Sequence, residues 1–220
     1  MPPPPPAKGE RAADFYFGFR VDDSQVAGSP RAEVVRAALR EQLAMVCAVG
    51  LPDDMLAFFR RVPIRIVAPS GVFQFTPGYY EGREKSVQLS TSFPLAGHKP
   101  ILLHELFHAY HDQKMPGGVD NGAIIGFYGK GKAAGAYAAS SHMLDNQREF
   151  FACSVTTYLF GVTAQEPFFR EKLRATQPEW FAYLKNLCGP GAGGYAGSLT
   201  QTPPALGVAT GDAPTSPARN

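Results

Sequence analysis

The sequence predicts an α+β domain with a small mixed sheet against a helical half. Three observations lead there. Segments of strand composition, DFYFGFRV (14–21), IRIVA (64–68), GVFQF (71–75) and SVQLS (86–90), all fall in the first ninety residues. A long run, 32–49, interrupts them with apolar residues at helical spacing. From Pro100 onward the apolar pattern is helical throughout.

Taken in order, residues 1–12 are a proline run that cannot pack, expected to be a disordered tail. The domain is expected to span 13–188. After the aromatic strand 14–21, Ser29-Pro30 supplies a helix cap and a proline at the first helical position. The helix 32–49 follows, then a shorter one over 52–61, then three strands separated by glycine and proline turns. A helix starts at Pro100 and runs through ILLHELFHAYHDQKM. The glycine-rich stretch after it, 117–137, reads as an irregular connection, either a mobile flap or a passive link. Helices are expected over 144–159, 165–175 and 178–187. From Gly189 to Asn220 the chain is rich in Gly, Pro and Thr without apolar periodicity, which predicts a second disordered tail.

Composition narrows the function classes. Hydrophobic residues make up 45% of the 220, enough for a real core. The net charge is +2 with Lys and Arg scattered, which gives no electrostatic case for a nucleic-acid or membrane partner. Cys47, Cys153 and Cys188 are too few and too spread for a disulfide framework, and read as buried thiols. No stretch approaches the ~20 apolar residues that cross a bilayer, and the N-terminus has no apolar signal region. The expected location is therefore the cytoplasm, or outside it by a non-classical route.

The chemistry begins at HELFH. His104 and His108 are four residues apart, so on a helix their imidazoles share one face and reach one Zn²⁺. Glu105 stands beside the first of them, placed to act as general base on a water that the metal activates. Two ligands leave zinc under-coordinated. The extended pattern HExxHxxGxxH is excluded, because His111 occupies its glycine and Lys114 its last histidine. His111 lies two turns beyond His104, too far to join the site, and reads as a partly exposed helix-end residue. Glu149, in NQREFFACSVTTYLF, is the better third ligand. A carboxylate within such an aromatic run is costly unless paired or ligated. It would complete a His₂Glu site.

HExxH followed by NxxEFFA resembles the anthrax lethal factor-like zinc peptidases, a gluzincin group. The resemblance covers about residues 86–187 and includes PEWFAYLKNL, similar to the family's closing helix. It implies a zincin-like metalloprotease fold, zinc as cofactor, His104, His108 and Glu149 as ligands, Glu105 as base, and a protein or peptide substrate. Such peptidases carry an oxyanion-stabilising tyrosine seven residues before the ligand glutamate. Here that position is His142, which can serve as donor, with Tyr137 as a second candidate. Where the family has an acidic residue four positions after the glutamate, this chain has Cys153. Asp120, Asp145 or a backbone carbonyl would then orient the ligating histidines. SVQLS corresponds to the edge strand along which zincins hold an extended substrate, with GYYEGREK as part of the rim. The expected activity is that of a metalloendopeptidase, bacterial effector-like in role. The alternative is a zincin-fold binding or regulatory module without catalysis, which would have no use for a base at Glu105.

Overall fold

The computed structural model describes residues 15–68, 76–90 and 99–191. The expected strand 71–75 and both expected tails, apart from residues 189–191, lie outside them. Within them the fold is mixed α+β, with a four-stranded mixed sheet in the order β1-β2-β4-β3. No helix among the described residues is long and apolar enough to cross a membrane.

The first segment departs from expectation. Only Val21–Asp22 form a strand (β1), because Phe17 and Gly18 both take positive φ and turn the chain. Phe15, Tyr16 and Phe19 are nonetheless buried, so the aromatic content serves the core rather than a ladder. Helix α1, Ala32–Ala48, buries Val35, Leu39, Leu43 and Val46 along one face. The Ser29 hydroxyl accepts the Arg31 N–H just ahead of it. Helix α2, Asp53–Arg61, buries Met55, Phe58 and Phe59.

β2 (Ile64–Val67) pairs in parallel with β1 and with β4 (Ser86–Ser90), and β3 (Gly78–Glu81) lies antiparallel to β4. Alternation places Ile64 and Ile66 inward and Arg65 outward on β2. Val87 and Leu89 of β4 are fully buried. SVQLS is therefore an interior strand. Among the described residues the two edges belong to β1 and to GYYE, β3.

Helix α3, Ile101–Lys114, crosses between sheet and helical half. It packs on β3 and β4 on one side and on helix α5, Gln147–Phe160, on the other. Phe107 marks this junction, with its ring edge-on to Phe59 at 5.2 Å and to Phe151 at 5.9 Å.

The glycine-rich stretch folds instead of forming a loop. A 3₁₀ turn, Gly118–Asp120, leads into helix α4, Gly122–Ala133. The Asn121 side chain accepts the Ile124 N–H at 3.0 Å and donates to the Pro116 carbonyl at 2.8 Å, which fixes the helix start. Gly131 is required by space, since a Cβ there would lie 2.6 Å from Gln177 Nε2 and 3.1 Å from Phe150. Phe127 packs on Trp180 at 5.0 Å and Tyr128 on Phe150 at 5.9 Å. Tertiary packing thus outweighs the poor helix propensity of glycine. Helices α6, Arg170–Thr176, and α7, Pro178–Cys188, close the fold around the fully buried Trp180.

His111 is fully buried, not at an exposed helix end, because its face of α3 meets α5. Its ring lies 5.0 Å from that of Phe151, and neither nitrogen has a partner. Burial pushes its pKa down from 6.5 to about 4. The unfolded chain thus binds this proton near pH 6.5 while the folded chain resists it to about pH 4, so stability falls as pH drops through that window. The cost approaches about 3 kcal/mol at its lower end. In urea titrations at pH 7 and pH 4, His111→Leu is expected to lose less stability than wild type by about that amount. Equal acid sensitivity would contradict it.

Candidate metal centre

Three elements deliver the site. α3 supplies His104 and His108, one turn apart on a shared face, and Glu105, the residue next to the first of them. Its start is held by the buried Gln42 of α1, whose amide donates to the Lys99 carbonyl at 2.7 Å and accepts the Leu102 N–H at 3.0 Å. α5 supplies Glu149 from its first turn. The Asn146 side chain caps that turn, accepting the N–H groups of Arg148 (2.9 Å) and Glu149 itself (3.1 Å). A carboxylate here also benefits from the helix dipole. A 3₁₀ turn just before α5, His142–Leu144, supplies His142.

Their polar atoms converge. His104 Nε2 lies 3.0 Å from His108 Nε2, and each lies 3.2 Å from Glu149 Oε2. Ligands bound tetrahedrally at ~2.05 Å would stand about 3.3 Å apart, so this triangle has the size of one face of such a site. His142 Nε2 also lies 3.0 Å from Glu149 Oε2, and its Nδ1 lies 2.7 Å from Asp145 Oδ2. The ligand atoms of His104, His142 and Glu149 all lie within 4.8 Å of one another. A nitrogen-and-carboxylate donor set at these separations fits a divalent metal ion.

The electrostatics have stated causes. Burial alone would raise the Glu149 carboxyl, but hydrogen bonds with His104, His108 and His142 hold it far below the carboxylate range. Burial opposes charge on His104, and hydrogen bonds with Cys153 and Glu149 overcome it and push its pKa well up. His142 is raised to about 9, chiefly by its hydrogen bond with Glu149, with burial opposing and Asp145 adding to the rise. Burial likewise pushes Glu105 up, against the nearby His104 and His108.

Glu105 is pinned from the sheet. The Tyr80 backbone hydrogen bonds with it, and Gly78 comes so close that a Cβ would lie 3.0 Å from its Cγ and Oε1. The Tyr80 hydroxyl donates to Asp112 at 2.6 Å, tying β3 to the far end of α3. A cavity of about 380 Å³ opens beside the base, lined by Pro77, Ile101, His142, Thr156 and Gln165 among others.

The structure thus brings His104, Glu105, His108, His142 and Glu149 together. Tyr137 is not among them. It is buried with its hydroxyl 2.9 Å from Thr176 and 3.1 Å from Gln177, turned toward α6 and α7. Asp120 is exposed on its 3₁₀ turn. Asp145 orients His142, and Cys153 stands beside His104. The Cys153 thiol also approaches Gln165 Oε1 at 3.7 Å. The sequence reading missed the supporting residues Gln42, Gly78 and Asn146. Only Asn146, three positions before Glu149 at a helix start, carried a readable cap signal. No protein-family model matches the chain, and no curated protein matches it.

Asn146→Ala removes the acceptor that fixes the first turn of α5. Its unfolding free energy by urea titration is expected to fall by about 1 kcal/mol. An unchanged midpoint would show that the cap does not hold this turn.

Proposed function

We propose that this chain is a zinc-dependent endopeptidase of the lethal factor-like gluzincin type, with a zincin-like fold. The observation that carries this reading is the triangle of His104 Nε2, His108 Nε2 and Glu149 Oε2 with edges of 3.0, 3.2 and 3.2 Å. Two imidazoles and one carboxylate form the donor set of a catalytic zinc site, which keeps a further position for reactants. A zinc ion held there would acidify a water and polarise a carbonyl.

The chain's own groups do the rest. Glu105 takes the proton from the attacking water and passes it to the leaving amine. Its carboxyl is raised by burial, which suits a base that must also act as an acid. His142, its Nδ1 held by Asp145 and its Nε2 turned to the site, donates Nε2–H in its protonated form to the developing oxyanion. The cavity beside Glu105 is the place for a substrate side chain. An extended peptide would lie along β3, the strand against Glu105, in place of SVQLS.

Glu105→Gln is expected to bind zinc as wild type does and to lose peptidase activity on a peptide library by roughly 10²–10⁴-fold. Cleavage at the wild-type rate would remove Glu105 from the mechanism. Glu149→Ala is expected to lose more zinc affinity than the roughly 10–100-fold that removal of an outer partner costs. Full zinc content at unchanged affinity would strike Glu149 from the ligands.

A further inference from the structure

We propose that His142 is a fourth, displaceable protein ligand, held toward the metal by Asp145 and closing the site when no substrate is present. This rests on the zinc reading above and adds a resting state to it.

The geometry of His142 is that of a ligand as much as a donor. Its Nε2 stands 3.0 Å from Glu149 Oε2, the same separation that His104 and His108 keep from each other. The ligand atoms of His104, His142 and Glu149 form a group within 4.8 Å, and the rings of His104 and His142 are nearly parallel at 28° with centroids 6.3 Å apart. The other ring nitrogen, Nδ1, is taken by Asp145 Oδ2 at 2.7 Å. A carboxylate on one imidazole nitrogen, leaving the other's lone pair aimed at the site, is the arrangement that orients metal-bound histidines.

Position in the fold makes this ligand removable. His104 and His108 are fixed by a helix packed on both sides, and Glu149 by a capped helical turn. His142 sits on a short 3₁₀ turn, and its side chain is 47% exposed, against 12–19% for the other three. An entering carbonyl needs to move only this side chain. Once displaced, the half-exposed His142 takes a proton from solvent on Nε2 while Nδ1–H stays on Asp145, and in that form it serves as hydrogen-bond donor to the reacting carbonyl.

The test uses Co²⁺ and Zn²⁺ with the full chain, reading the visible absorption of the cobalt form and zinc affinity by competition with a chelator. His142→Ala and Asp145→Ala are both expected to weaken zinc by roughly 10–100-fold. Their cobalt bands should weaken and shift as solvent replaces a nitrogen. Added imidazole should restore the wild-type bands in His142→Ala, which excludes misfolding as the cause. If both variants keep wild-type affinity and an unchanged cobalt spectrum, His142 is not a ligand, while the three-ligand site stands. If wild type takes up neither metal, the zinc reading falls together with this one.

Discussion

Glu149 Oε2 lies within 3.2 Å of three imidazole nitrogens, and this crowding is the constraint around which the fold is organised. A carboxylate four-fifths buried is costly unless its partners are fixed. The partners come from two directions, a helix crossing the molecule and a turn leading into the next helix. Neither can shift without separating atoms that burial requires to stay together.

That requirement explains features that otherwise look unrelated. α3 is clamped between sheet and α5, with Phe107 filling the junction. Gln42, a buried polar residue in an otherwise apolar face of α1, holds the start of α3. Asn146 fixes the turn that bears Glu149. Gly78 lets β3 approach Glu105 more closely than any side chain would allow. Each places a backbone segment rather than touching the convergence point, which is how preorganised sites are supported.

Much of this was legible where the signal is local. The His104–His108 spacing and the burial cost of Glu149 each depend on one helix, so sequence reasoning found the residues that converge. What required three dimensions was read less well. The aromatic run at 14–21 has strand composition, yet positive φ at Phe17 and Gly18 spends its rings on the core. The glycines of α4 look like loop residues until Gly131 is seen against Gln177 and Phe150. Strand order cannot be read from strand composition, so SVQLS was given the edge that GYYE holds among the described residues. His111 and Tyr137 were misjudged for the same reason, since both are placed by packing between helices.

The central claim, that this convergence holds zinc and cleaves peptides, is tested most directly by profiling a peptide library with purified protein before and after chelation. Cleavage is expected to stop with the chelator and to return when zinc alone is restored. Cleavage that continues at the same sites and rate once the metal is removed would contradict it.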